Sequence, residues 1–262
     1  MDWIEALILG IIQGLCEFLP VSSSGHLEIG KVILLKEIKE DISFTLVVHT
    51  ATVLSTIVVF RKDIFNLMKG TITFKWNSEA QYLSKIILSM VPVVFVGLFL
   101  KDELEKLFNG NLILVGSMLL ITSILLIYTY YVKPKDGKIS FKKAIIIGIA
   151  QAIAVLPGIS RSGSTIATAL FLGINKDEAA RFSFLMVLLP ILGATAKEFL
   201  DGGIYNEAIN LNVLIVGFIG AFISGLIACN WMLKIVKQGK LLYFGYYCLI
   251  VGIIALIAGI YG

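Results

Sequence analysis

The chain has 262 residues, 58% of them hydrophobic and only 15% charged, with a mean hydropathy of +0.92 and a net charge of +4. That composition excludes a water-soluble globular domain, whose surface needs far more polar material. No run of lysine or arginine points to nucleic acid, and Cys16, Cys229 and Cys248 are scattered in apolar segments without metal, redox or disulfide spacing.

The first apolar stretch, about residues 3–35, carries Asp2 and Glu5 where a secretory leader would carry lysines, and no small-residue cleavage site follows. It is therefore expected in the mature fold. It is interrupted from Pro20 to Gly25, and because proline removes a backbone donor while glycine frees the backbone, the pattern predicts a helix, a loop and a second helix. Crossings are expected at about 42–60, 82–100 and 112–132. A second broken stretch, about 141–174, is interrupted from Pro157 to Gly163. Three more crossings follow at about 178–196, 212–232 and 241–261. Each has the roughly 20 residues that a helix needs to cross a hydrocarbon core. A loop at membrane depth persists only where protein or water covers it. The expected fold is one all-α integral membrane domain over residues 1–262, with six transmembrane helices and two re-entrant helix–loop–helix segments.

The two broken stretches are related. An offset of 138 pairs Gly10 with Gly148, Gln13 with Gln151, Ser22 with Ser160, Ser24 with Ser162, Gly25 with Gly163, Phe44 with Phe182 and Leu54 with Leu192. Pro20 and Pro157 pair with a slip of one residue. This is an internal repeat, one copy over about 1–110 and the other over about 139–262. Three crossings separate equivalent points, so the copies are expected to be inverted in the membrane.

Basic residues test that topology. Arg61, Lys62, Lys69, Lys75 and Lys85 flank one loop, Lys133, Lys135, Lys138, Lys142 and Lys143 a second, and Lys234, Lys237 and Lys240 a third. In the alternate loops, Lys101 and Lys106 stand beside Asp102, Glu103 and Glu105, and Lys197 stands near Glu198, Asp201 and Glu207. Both termini are expected outside. The two broken segments then enter from opposite faces, and their loops are expected to meet inside the membrane.

The loops differ in content. Glu17 aligns with Val155, His26 with Ser164, and Ser23 with Arg161. One copy supplies an acid and an imidazole, the other a permanent cation, and such groups in a membrane are costly and usually functional. Ser160, Arg161, Ser162, Gly163, Ser164 and Thr165 combine a guanidinium with four hydroxyls at a helix start, a set suited to phosphate. Ser22, Ser23, Ser24 and Gly25 form the matching loop, so two helix starts are positioned to clamp a diphosphate. Gln13 and Glu17, four apart, share one helix face. Glu17 suits either a divalent cation or a water to be activated. His26 suits three tasks: nucleophile, acid for the leaving phosphate, or base for Ser23.

Each candidate competes with a plainer role. Serines and glycines serve close helix packing, and Gln151 argues for a scaffold role of Gln13. His49, inside a crossing, reads as a packing or hydrogen-bonding residue. Glu178 and Arg181 read as membrane-boundary residues. Arg161 is the hardest to explain by packing.

The run Gln13-Gly14-Leu15-Cys16-Glu17-Phe18-Leu19-Pro20-Val21-Ser22-Ser23-Ser24-Gly25-His26-Leu27, with Pro157-Gly158-Ile159-Ser160-Arg161-Ser162-Gly163-Ser164-Thr165, resembles the undecaprenyl diphosphate phosphatases of the bacitracin-resistance family. The resemblance covers essentially the whole chain. It implies hydrolysis of undecaprenyl diphosphate to the monophosphate carrier and inorganic phosphate, recycling the lipid for peptidoglycan and other envelope polymers. It also implies a bacterial-type cell membrane and a divalent cation, Mg2+ or Ca2+. Carried over by motif, the acidic pair falls on Gln13 and Glu17, the serine–histidine loop on Ser23, Ser24 and His26, and the arginine loop on Ser160, Arg161, Ser162 and Thr165. Many members carry a second carboxylate where this chain has Gln13, which leaves more of any metal role to Glu17. Catalytic duties are expected of Glu17, Ser23, His26 and Arg161, and substrate binding of Gln13, Ser22, Ser24, Gly25, Ser160, Ser162, Gly163 and Thr165. The expected partners are the lipid substrate and membrane lipids, and the sequence is compatible with a homodimer. The rival reading is a polyprenyl-phosphate transporter or flippase, since inverted repeats with broken helices also build carriers.

Overall fold

The protein is described here by a computed structural model covering residues 2–34, 42–100, 103–104, 106–107, 110–133, 135–200 and 211–261. Lys101, Asp102, Glu105, Asp201 and Glu207, and the side chains of Lys197 and Glu198, invoked above for topology, lie outside the described residues. Regular structure among the described residues is helical, with one isolated bridge between Gly137 and Ile174 and no strand.

In chain order the helices are α1 (Trp3–Phe18), α2 (Ser23–Leu34), α3 (Ile42–Val59), α4 (Arg61–Ile72), α5 (Ser78–Phe99), α6 (Leu112–Tyr128), α7 (Phe141–Ile153), α8 (Arg161–Phe171), α9 (Lys176–Met186), α10 (Leu188–Leu200), α11 (Leu211–Gln238) and α12 (Leu242–Tyr261). Among the described residues four helices are long and apolar enough to cross a membrane: α5, α6 with the short 3-10 turn that follows it, α11 and α12. A fifth span arises if α3 and α4, bent by 76° at Phe60, are taken together. The chain is thus a multi-pass helical membrane protein.

Both broken stretches form as expected, α1–loop–α2 and α7–loop–α8. At the N-terminus Asp2 and Glu5 make a capping box, which satisfies otherwise orphaned donors of α1. Two departures from expectation have clear causes. The basic stretch after residue 60 is helical, because its sequence has a three-sided pattern. At 100° per residue, exposed Phe65, Met68 and Ile72 fall on one side, exposed Lys62 and Lys69 on the next, and buried Leu67 on the third. The expected crossing at 178–196 is divided at Val187. The ring of Pro190 excludes the carbonyl of Met186, four residues back, so α9 ends there and α10 starts afresh, with Ile191 N–H donating to Val187 O at 3.2 Å.

The chain resolves into two compact units, each drawn from both halves of the sequence. The first comprises Met1–Leu19, Lys39–Gln81 and Phe184–Met232; the second comprises Pro20–Ile38, Tyr82–Ser183 and Leu233–Gly262. In the first, α1 lies so close to α11 that a Cβ on Gly10 would collide with the carbonyl oxygen of Gly217, and one on Gly14 with Ser224. Ala6, Phe44, Val48, Ala51, Val213 and Ala221 form its apolar centre. In the second, α7 approaches α5 in the same manner, with a Cβ on Gly148 colliding with the carbonyl oxygen of Ser89.

The second unit is organised by α6 and α12. Gly245, Gly252 and Gly259 recur every seven residues along α12, and Cβ atoms there would press on Ile127, Gly116 O and Ile113 of α6 at 2.7, 3.1 and 2.9 Å. Small residues at such a seam let two helices meet in lipid, where no hydrophobic force drives helices together. These two helices also carry the groups that fix both loops.

Candidate active site

The two loops are built alike. The Ser22 hydroxyl accepts from Gly25 N–H at 3.2 Å and the Ser160 hydroxyl from Gly163 N–H at 3.1 Å, so each serine caps the helix that follows. Ser22 and Ser24 hydroxyls lie 3.4 Å apart, as do those of Ser160 and Ser162. The first backbone turns also match, His26 N–H donating to Ser22 O at 3.1 Å and Ser164 N–H to Ser160 O at 2.9 Å. Every one of these pairs obeys the offset of 138.

The slip at the prolines has a structural reason. The second loop holds one more residue between proline and cap, and that residue, Gly158, takes φ +98°. Lacking it, the first loop makes its reversal at the cap itself, so Ser22 sits at φ +66° while Ser160 keeps φ −76°. A non-glycine residue there is strained by about 1–2 kcal/mol.

The loops touch. A Cβ on Gly25 would stand 3.0 Å from Gly158 Cα, and one on Gly163 would stand 3.2 Å from Pro20 Cβ. The starts of α2 and α8 therefore share one loop cluster within the second unit. Ser22, Gly25, Ser160, Ser162, Gly163 and Thr165 are buried; Ser23, Ser24, His26 and Arg161, the first residue of α8, are half-buried. Helix starts carry partial positive charge, and with a guanidinium and hydroxyls beside them they favour an anion.

His26 is held at both ring nitrogens. Nδ1 lies 2.8 Å from Ser22 O and Nε2 lies 2.8 Å from the Tyr247 hydroxyl, with the two rings stacked at 5.5 Å and 8°. A carbonyl only accepts, so Nδ1 carries a proton, and in the neutral imidazole Nε2 then holds the lone pair, to which the Tyr247 hydroxyl donates. The Thr165 hydroxyl donates to Arg161 O at 2.9 Å and contacts the Ser183 hydroxyl, which ties α8 to α9.

Gln13 and Glu17 belong to the first unit. Gln13 is buried, Glu17 is half-buried, and the Gln13 amide donates to the Glu17 carboxylate at 3.1 Å, as their shared helix face predicts. The repeat counterpart Gln151, 2% exposed, has no hydrogen-bond partner for either amide atom among the described residues. His49 donates Nδ1–H to Thr45 O at 2.9 Å, the hydrogen-bonding role expected of it. Arg181 lies over the Tyr82 ring at 5.2 Å.

Sequence reasoning missed the groups that hold the loops in place. Thr122 of α6 donates to Gly158 O at 3.1 Å and accepts from Ser160 N–H at 3.0 Å. On α12, Cys248 lies 3.6 Å from Pro20 O, beside Tyr247. Glu28, 2% exposed, accepts from Gly110 N–H at 2.7 Å and ties α2 to the start of α6. The Glu two residues after His26 was a signal present in the sequence, and the other partners are set by the fold.

A divalent cation fits the Gln13–Glu17 pair only in a limited sense. Among the described residues no three His, Cys, Asp or Glu side chains stand together. One carboxylate and one amide carbonyl on a helix face suit a hard ion that keeps water for its other ligands.

The comparisons agree with the motifs. Residues 6–254 match the family described as bacitracin resistance protein BacA. A protein named undecaprenyl-diphosphatase from Christiangramia forsetii is 53% identical over 261 residues, 98% of each chain. One of the same name from Bacteroides fragilis is 54% identical over 98% of each chain, and an archaeal one from Korarchaeum cryptofilum is 41% identical over 97% of this chain and 98% of its own. Like them along nearly its whole length, the chain belongs to the bacitracin resistance protein BacA family.

Proposed function

We propose that the protein hydrolyses undecaprenyl diphosphate to undecaprenyl phosphate and inorganic phosphate, returning the carrier to envelope polymer synthesis. The observation that carries this reading is the loop cluster: two serine-capped helix starts, an arginine and a histidine with an oriented lone pair, in a chain whose relatives bear the name of that phosphatase.

In this reading Arg161 and the hydroxyls of Ser22, Ser24, Ser160 and Ser162, together with the start of α8, bind the diphosphate and neutralise charge as the terminal P–O bond breaks. His26 presents its lone pair at Nε2, either to the terminal phosphorus or to the proton of an attacking water or of Ser23. The prenyl monophosphate leaves with the bridging oxygen, and the terminal phosphoryl group passes to water, directly or after transfer to His26 or Ser23, and leaves as inorganic phosphate. Glu17, with Gln13 beside it, would hold Mg2+ or Ca2+, which when bound supplies charge neutralisation to the phosphate oxygens.

We also infer six crossings and two re-entrant segments in one membrane domain, arranged as an inverted repeat with both termini outside. The matched caps at the two loops and the like approaches of α1 to α11 and α7 to α5 support that arrangement, and the basic loops support the orientation.

The test is phosphate release from a polyprenyl diphosphate by the purified protein and by Glu17→Ala, His26→Ala and Arg161→Ala. Loss of at least about 100-fold is expected for each. Full activity in all three would overturn the assignment. Sidedness-labelled lipid in proteoliposomes distinguishes hydrolysis from transport.

A further inference from the structure

We infer that Tyr247 is the positioning residue of His26: its hydroxyl and its ring together hold the imidazole as the Nδ1–H tautomer, with Nε2 aimed at the place the hydroxyl occupies and a reacting group would take. The inference rests on the proposed phosphatase reading for its consequence in catalysis, and on geometry for the contact itself.

Two independent contacts define the pair. The hydroxyl lies 2.8 Å from Nε2, and the rings stack within 8° of parallel. The first fixes where the Nε2 lone pair points, and the second fixes the plane of the ring. The third constraint, Nδ1–H to Ser22 O at 2.8 Å, comes from the strained residue that caps α2. An imidazole held in this way on three sides has one tautomer and one orientation, the arrangement that lets a histidine deliver or collect a proton at a defined atom.

The placement of Tyr247 is itself held. Its neighbour Cys248 is buried, lies against Pro20 O, and sits between Gly245 and Gly252 of the α12 seam. Tyr247 is exposed while Cys248 is buried, so the two residues face opposite sides of α12. Nε2 has a single lone pair, and the hydroxyl occupies it. Whatever His26 acts upon must take the place of that hydroxyl, one hydrogen-bond length from the tyrosine oxygen.

The experiment combines kinetics with nitrogen-15 NMR of the full-length protein in detergent, labelled at its two histidines, with His49→Gln to assign the signals. The wild type should show a protonated Nδ1 and an unprotonated, hydrogen-bonded Nε2 for His26. Tyr247→Phe keeps the stack and removes the hydroxyl: the Nε2 signal should move to that of a free pyridine-type nitrogen. In the same variant, kcat for phosphate release should fall about 10- to 100-fold with KM within about twofold, the cost of a reacting atom no longer held in line. Tyr247→Leu should lose more and broaden the His26 signals. An Nε2–H tautomer in the wild type, or unchanged kcat and Nε2 signal in Tyr247→Phe, overturns the inference. Full activity in His26→Ala would instead overturn the site reading, whatever the NMR shows.

Discussion

Thr122 and Ser160 are joined by a hydrogen bond of 3.0 Å across 38 residues of chain, the hydroxyl accepting from the backbone N–H. The same hydroxyl donates to Gly158 O, so one buried side chain satisfies a donor and an acceptor of the arginine loop. Thr122→Val, close in shape, leaves both groups unpaired and should cost about 2–4 kcal/mol. Thr122→Ser keeps the hydroxyl and should cost less than about 1 kcal/mol. Thermal inactivation midpoints in detergent compare the two, and equal values would refute the role.

Ser22 combines a cap with strained backbone, and the two can be separated by substitution. Glycine relieves the strain and caps nearly as well, so Ser22→Gly should fold with stability near wild type. Ser22→Ala keeps the strain and loses the cap, and should destabilise by about 1–2 kcal/mol. The same thermal assay, with the order of the two variants reversed, would contradict the geometry at φ +66°.

Arg161→Lys keeps the charge and loses the planar fork. If the guanidinium binds phosphate by paired bonds, KM for the diphosphate lipid should rise by about tenfold or more and weaken further with added salt. Initial-rate kinetics at two ionic strengths decide this, and a KM unchanged at both would exclude paired binding.

Treatment with a chelator should abolish phosphate release, and Mg2+ or Ca2+ should restore it. Glu17→Gln, which removes the carboxylate charge but keeps the size, should fall by about 100-fold and resist rescue at saturating cation. Activity that survives chelation would remove the metal from the reaction.

Gly10 and Gly148 are predicted to be equally intolerant of side chains. Gly10→Val and Gly148→Val place methyl groups against backbone carbonyls that cannot turn aside, at a cost of about 3 kcal/mol or more. Yield of monodisperse protein in size-exclusion chromatography reads this out, and a normal yield from either variant would show that the helices can move apart.

The sequence carried the parts of the fold that depend on local chemistry. Pro20 and Pro157, with the glycines after them, marked both loops, and Ser22 and Ser160 cap helices as their residue type suggests. Gln13 and Glu17 pair as their spacing requires. What stayed hidden depends on distant partners. Nothing near Thr122, in an apolar span, indicates that it faces a loop 36 residues on, and Tyr247 meets His26 across 221 residues. The division at Val187 was present in Pro190, but hydropathy alone reads through a proline. Helix α4 was hidden because its basic residues resemble a loop until they are placed on a wheel.

The closeness of α1 to α11 bears on how the protein is made. Helix α1 leaves the ribosome before α11, and the surface its glycines require, at Gly217 and Ser224, is synthesised about 200 residues later. For most of translation Gln13 and Glu17 lack their final surroundings, and α1 must wait in the bilayer or at its edge. Helix α7, by contrast, finds α5 already in place. The close packing of the carboxylate-bearing helix on α11 thus waits until α11 is made, and a chain stopped before α11 would hold the serine and arginine loops but lack that partner of α1.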